Sequence, residues 1–262
     1  MLDIWRESVP VRYGSVDRSD RLTLASIFSF FQEAAISHAA DLGVGRDAMA
    51  SAGQGWILSR LSLFIESRPA YGETIQVSSW PRRWEKLFAL RDYEIRNAGN
   101  VAVVRGRAGW LVVDIEKRRP LRAQTIMDKL PSNDGIDAFP AGPAGLNARE
   151  NLTKKKERAA LYSDIDYYGH ANNARYIQWI QDATEMDVLT NAEQIRLDIN
   201  YLSEVLPGET VELWIAPLAE AGPPSGESAA DYPRMEGPGF AYEGRRPNTG
   251  QPVFRAELRS GK

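Results

Sequence analysis

The residues best suited to chemistry lie in one run, Ser163-Asp164-Ile165-Asp166-Tyr167-Tyr168-Gly169-His170-Ala171-Asn172-Asn173-Ala174-Arg175-Tyr176. Asp166 and His170 share a predicted turn, which sets a carboxylate near an imidazole. Gly169 between them permits a substrate carbonyl to come close to the backbone. The helical pattern begins here, so residues 169–172 form a helix start. Unpaired N–H groups and a partial positive charge gather at such an end and favour an oxyanion. Further along, Ile199-Asn200-Tyr201-Leu202-Ser203-Glu204 reads as a strand whose terminal carboxylate faces the same turn. A carboxylate, an imidazole and an oxyanion site together are what water needs to attack a thioester.

On this reading Asp166 and Glu204 are both candidates to activate water or to attack the carbonyl directly. His170 orients the water and shuttles a proton, and the backbone at Gly169 through Asn172 polarises the carbonyl. Tyr168 and Asn172 lie where substrate binds. Plainer readings stand beside these: Asp166 as a turn former, Glu204 as a solvated strand-end charge, and His38 as a structural residue of the first helix.

These residues need elements to hold them. Residues 9–13 alternate as a strand. From Leu22 the period changes, and Leu24, Ile27, Phe28, Phe31, Ala34, Ala35 and His38 mark an apolar helix that ends near Gly43, with Thr23 or Asp20 as its cap. Strand patterns follow at residues 56–66, 74–81, 88–97 and 101–114. Residues 132–145 are rich in Gly, Pro, Asn and Asp and residues 149–158 are mostly charged, which is linker composition with a short helix predicted over 148–156. A second helix is predicted over 172–189, and the last strands over 210–217, 240–246 and 252–259. Residues 219–239 have the low-complexity character of a mobile loop. Ile27, Phe31 and Trp56 are candidates to line an acyl tunnel between the first helix and its sheet, although an aromatic helix face is also ordinary core.

The chain is written twice. Asp17 falls on Asp166, an offset of 149 (166 − 17), and the same offset sets Tyr13 on Tyr162, Gln32 on Gln181 and Ala34 on Ala183. Gly72-Glu73-Thr74 repeats as Gly208-Glu209-Thr210 at an offset of 136 (208 − 72). A pseudo-dimer of two α+β units follows, divided as residues 1–122, a linker at 123–160, and residues 161–262. The copies differ where chemistry is expected. Arg21 stands for His170, Asp20 for Gly169 and Arg68 for Glu204, so one half carries acid/base groups and its twin none.

Composition removes several classes. The 262 residues carry a net charge of −3, which argues against a nucleic-acid binder relying on bulk positive charge. There is no Cys, which excludes disulfides, thiolate metal sites and a cysteine nucleophile. No segment has the apolar length of a membrane span, and no basic-then-apolar leader opens the chain, so a cytoplasmic protein is expected.

The pattern Asp-x-Asp-x-x-Gly-His-x-Asn-Asn-x-x-Tyr, Asp164 to Tyr176, resembles the signature of hot-dog thioesterases, and especially of the acyl-acyl-carrier-protein (ACP) thioesterases. Trp56-Ile57-Leu58-Ser59-Arg60, Ser79-Trp80-Pro81, Arg91-Asp92-Tyr93-Glu94-Ile95 and Arg118-Arg119-Pro120-Leu121-Arg122 resemble that family's N-terminal unit. The resemblance runs from residue 11 to residue 211 and weakens in the linker and the C-terminal insertion. It implies a tandem hot-dog fold and hydrolysis of acyl-ACP to fatty acid and ACP, with no metal or organic cofactor. It also places the family's catalytic Asp, His and Glu on Asp166, His170 and Glu204. Tyr168 departs from the Asn common in the family. Lys154, Lys155, Lys156 and Arg158, with Arg118, Arg119 and Arg122, would meet an acidic ACP, or would be plain solvated charge. An acyl-CoA thioesterase and a non-catalytic acyl-binding protein are the rival readings. The tandem repeat supplies the minimal pair, so monomer and homodimer are both compatible with it.

Overall fold

The computed structural model describes residues 3–122, 124–218 and 235–261. In the first half, β1 (Trp5–Pro10) leads through a tight turn into α1 (Leu24–Asp41). The helix buries Leu24, Ile27, Phe28, Phe31, Ala34, Ala35 and His38, the three- and four-residue spacing of one face. Its cap is Thr23, whose hydroxyl accepts the Ser26 amide, rather than Asp20. Helix α2 (Arg46–Ser51) follows, then the meander β2 (Gln54–Ile65), β3 (Thr74–Glu85), β4 (Phe88–Arg96) and β5 (Ala102–Asp114). Short β6 (Arg119–Leu121) folds back on β5, and α3 (Gln124–Met127) ends the unit.

The second half repeats this order. It runs β7 (Thr153–Ala159), α4 (Asn173–Ala183), α5 (Met186–Thr190), β8 (Gln194–Tyr201), β9 (Thr210–Pro217), β10 (Gly239–Arg245) and β11 (Pro252–Gly261). The strands form one antiparallel sheet in the order β1-β3-β4-β5-β2-β8-β11-β10-β9-β7. Read from either end the order is the same in the two halves, so a pseudo-twofold passes through the β2–β8 seam, where Arg60 pairs Asn200 and Ile65 pairs Ile195. Helices α1 and α4 lie against each other, and a single core cluster takes side chains from both helices and both sets of strands, from Phe31 and Tyr93 to Ile180 and Phe254. The two units therefore share one interior.

Three expectations change. The charged run predicted as a helix over 148–156 is partly strand β7, because pairing with β9 outweighs helix propensity. The helix predicted over 172–189 stops at Ala183. Thr184 takes extended backbone angles and turns its hydroxyl back onto the Ile180 carbonyl, 2.7 Å away, before α5 restarts. The strand expected to carry Glu204 ends at Tyr201, leaving Glu204 on the loop beyond β8. The loop expected over 219–239 lies, up to residue 234, outside the described residues.

The linker is pinned to the sheet face opposite the helices. Asn200 uses both ends of its amide, accepting from Leu146 N and donating to Ala144 O, and Ser62 Oγ accepts from Ala144 N. Arg107 joins Asp92 to Asp137 and to the Ala141 carbonyl, and Trp80 donates to Ile136 O. Burial pushes the carboxyls of Asp92 and Asp198 up, against the opposing pull of Arg107 on the first and of Arg196 and Ser62 on the second.

Candidate active site

The turn before α4 is built by its own backbone. Asp166 N donates to His170 O, Gly169 N donates to Asp166 O, and the Tyr168 amide donates to Asp166 Oδ1, all within 3.0 Å. Gly169 has φ +81, which a residue with a Cβ adopts only under strain, and no atom stands within 4 Å of where its Cβ would be. The space over this residue is open. Asn172 caps α4 by accepting the Ala174 amide at 2.9 Å. The Asn173 amide, on the first residue of α4, enters no hydrogen bond among the described residues, as first-turn amides do until a ligand supplies an acceptor.

Glu204 comes to this corner from the loop after β8. Its Oε2 lies 3.1 Å from His170 Nε2, and the two side chains are 36% and 37% exposed, open enough for substrate to reach both. The loop is held by Arg246, which donates to Glu204 O and Ser203 Oγ, and by the Tyr176 hydroxyl, which donates to Ser203 O. Two arginines of the first half close over the site. Arg118 pairs with Glu204 Oε1 at 2.5 Å, and the Arg46 guanidinium lies 4.0 Å from the centre of the Tyr167 ring. Burial raises the phenol pKa of Tyr168, with Arg46 opposing.

The structure thus brings His170 and Glu204 into contact and sets Gly169 and Asn172 beside them. The Asp166 carboxylate shares the turn, and among the described residues its bond goes to the Tyr168 amide. Tyr168 is 59% exposed at the rim. Ile27 and Phe31 are fully buried in the shared core, Phe31 stacked 4.7 Å from Tyr93. Trp56 packs in a second cluster with Leu42, Val44 and Met49 beneath α2, its indole N–H donating to Val44 O. The Gly169 amide is spent inside the turn, and among the described residues the His170 and Asn173 amides both lack an acceptor. Arg118, Arg46 and Arg246 had no signal at this corner in the sequence, since each arrives from a distant segment.

The first half shows the same corner without the chemistry. Asp17 N donates to Arg21 O and Asp20 N to Asp17 O, the same turn with Asp20 at φ +62. In place of Glu204 stands Arg68, 8% exposed, pairing with Asp17 at 2.5 Å and donating to the Leu189 carbonyl. Desolvation pushes the Asp17 carboxyl up, but hydrogen bonds from Ser19 and Arg68 outweigh it and its pKa is lowered. An ion pair fills this corner. The reciprocal contact also recurs: Arg18, at the place of Tyr167, meets Asp187 of α5 at 2.9 Å, as Tyr167 meets Arg46 of α2.

Two long helices side by side on one continuous sheet, duplicated about a seam, with a polar site at one helix start, define a tandem hot-dog protein. Family models agree: the acyl-ACP thioesterase N-terminal domain matches residues 3–129 and the C-terminal domain matches residues 148–230. The chain belongs to the acyl-ACP thioesterase family. It is 22% identical over 263 residues to the acyl-[acyl-carrier-protein] hydrolase FATB2, chloroplastic, of Cuphea viscosissima, covering 92% of this chain and 62% of that protein. It is also 22% identical over 272 residues to oleoyl-acyl carrier protein thioesterase 1, chloroplastic, of Arabidopsis thaliana, covering 96% and 74%. The chain spans 62% and 63% of the length of the first two curated relatives it matches. Among solved structures, an acyl-ACP thioesterase from Bacteroides thetaiotaomicron superposes with a TM-score of 0.83 at 21% identity, over 98% of this chain and 97% of that one. The 12:0-ACP thioesterase from Umbellularia californica gives 0.77 at 17%, over 98% and 93%. At such identities the likeness establishes the fold.

Proposed function

We propose that the protein hydrolyses the thioester of acyl-ACP, releasing a fatty acid and the ACP thiol. The observation that carries this is the contact of His170 Nε2 with Glu204 Oε2 beside the open Asn173 amide. The thioester carbonyl oxygen sits at the start of α4, where the amide and the helix end stabilise the developing oxyanion. Water loses a proton to the Glu204–His170 pair as its oxygen bonds to the carbonyl carbon. The C–S bond then breaks, and that proton passes to the departing sulfur. Water thus supplies the hydroxyl of the acid and the proton of the thiol. Asp166, on the same turn, is the second carboxylate, placed to orient the reacting groups or to attack directly. Tyr167, Tyr168, Leu202 and Leu206 are exposed around the mouth and suit the carrier's arm, and the acyl chain runs inward toward Ile27 and Phe31. Arg118 and Arg46 border the rim, each paired with a carboxylate, Glu204 and Asp47.

The test is hydrolysis of matched acyl chains on ACP and on CoA by purified protein. The expected result is turnover of acyl-ACP that falls about 10²–10⁴-fold in His170→Ala and in Glu204→Ala, with folding unchanged. Preference for the CoA ester would make this an acyl-CoA thioesterase. Binding without turnover would make it an acyl-binding protein.

A further inference from the structure

The backbone hydrogen bonds of the two helix starts recur pair by pair. Ala171 N to Val205 O repeats Leu22 N to Pro69 O, and Asn172 N to Asp164 O repeats Thr23 N to Ser15 O. A side-chain bond that joins the two helices does not recur. In the first half the Ala25 amide, second residue of α1, donates across the helix pair to Gln181 Oε1 of α4 at 2.8 Å. The 149-residue offset makes Gln32 on α1 the counterpart of Gln181, and Ala174 on α4 the counterpart of Ala25. The Ala174 amide, however, is taken by Asn172 Oδ1. Gln32 Oε1 is left buried with no hydrogen-bond partner among the described residues. Buried acceptors are nearly always paired, and an orphan on the helix that packs against α4, at the repeat counterpart of a residue reaching a helix start, points to a donor that arrives with substrate.

We propose that Gln32 is a positioning residue of the second-half site, supplied by the half that lacks acid/base groups. It reaches from α1 toward the first turn of α4, and its carboxamide oxygen accepts a hydrogen bond from the attacking water. This rests on the thioesterase reading above. Water has two protons: one leaves to Glu204 and His170, and Gln32 holds the other, which aims the oxygen lone pair at the carbonyl carbon. A carboxamide takes no proton itself, so its part is orientation. The same substitution of partners explains the asymmetry. In the first half the glutamine is spent on structure, and in the second half Asn172 takes over the amide so that the glutamine is free.

The test compares Gln32→Leu, Gln32→Glu and Gln181→Leu in the whole chain, beside wild type and His170→Ala. Gln32→Leu should lower kcat by about tenfold or more with KM nearly unchanged. Its melting temperature should hold or rise, because removing an orphan polar group loses no bond. Gln32→Glu, which keeps an acceptor oxygen, should regain activity as its carboxyl ionises, adding a rising limb to the pH–rate profile. Gln181→Leu should lower the melting temperature and leave kcat intact. The proposal is overturned if Gln32→Leu keeps wild-type kcat, or if Gln32→Leu loses melting temperature as Gln181→Leu does and Gln32→Glu is no better at any pH. Those results would leave a wild type that hydrolyses thioesters, and a His170→Ala that does not, standing. A wild type without thioesterase activity overturns both.

Discussion

Asp166 and Asp17 occupy the same corner of the same turn, and the use each makes of its carboxylate separates folding from chemistry. Each accepts a backbone amide two residues on through one oxygen. The second oxygen of Asp17 is committed to Arg68, while that of Asp166 has no partner among the described residues. One atom therefore makes the turn and the other is free for the reaction. Asp166→Asn keeps the amide contact and is expected to hold the melting temperature while losing activity about a hundredfold. Asp166→Ala should lose both, with about 1 kcal/mol of stability; thermal melts and initial rates on the pair check this. At this scale the sequence was legible where groups are neighbours in the chain. The Asp-Tyr-Tyr-Gly-His turn could be read directly, and the repeat identified Arg68 as the stand-in for Glu204. The contact of Arg118 with Glu204 could not be read, because it joins positions 86 residues apart across the seam.

The helices and strands were legible to the extent that one face of each is buried. Helix α1 shows its period in seven buried side chains, and its start and end lie close to where the pattern sets them. The break after Ala183 was hidden, because Thr184 and Glu185 disturb no apolar spacing, and the decision lies in a hydroxyl that reaches Ile180 O and Tyr242. The strand character of β7 was hidden too, since Lys154, Lys155 and Lys156 read as a solvated run and only the pairing with β9 makes them a strand. The two helix caps offer a controlled comparison. Thr23→Ala and Asn172→Ala should each cost about 0.5–2 kcal/mol, seen as a drop in melting temperature. Only Asn172→Ala should also change turnover, because its amide partner Ala174 borders the reacting corner.

As a whole molecule the protein is one interior shared by two copies, bound on the outer face by a strap that looks like a linker in composition. Residues 131–146 are fixed by buried polar side chains whose partners are backbone groups, a feature invisible to a reading based on Gly and Pro content. Asn200 is the sharpest probe, being 5% exposed and bonded to both Leu146 N and Ala144 O. Asn200→Ala leaves two backbone groups unpaired in a dry site and is expected to cost about 2–4 kcal/mol, measured by denaturant unfolding. Activity should persist wherever the variant stays folded, since the Asn200 side chain bonds to the strap.

The charge on β7 bears on how such a sheet ends. Among the described residues its outer side is an unpaired row of amides and carbonyls, the kind of surface on which another chain would add a strand. Lys154 reaches Glu212 and Glu157, and Lys156 donates to the Asp182 carbonyl, so ammonium groups crowd the border where a flat apolar strand would invite stacking. A sheet that has already grown to twice the length of a single unit by duplication is thereby told where to stop.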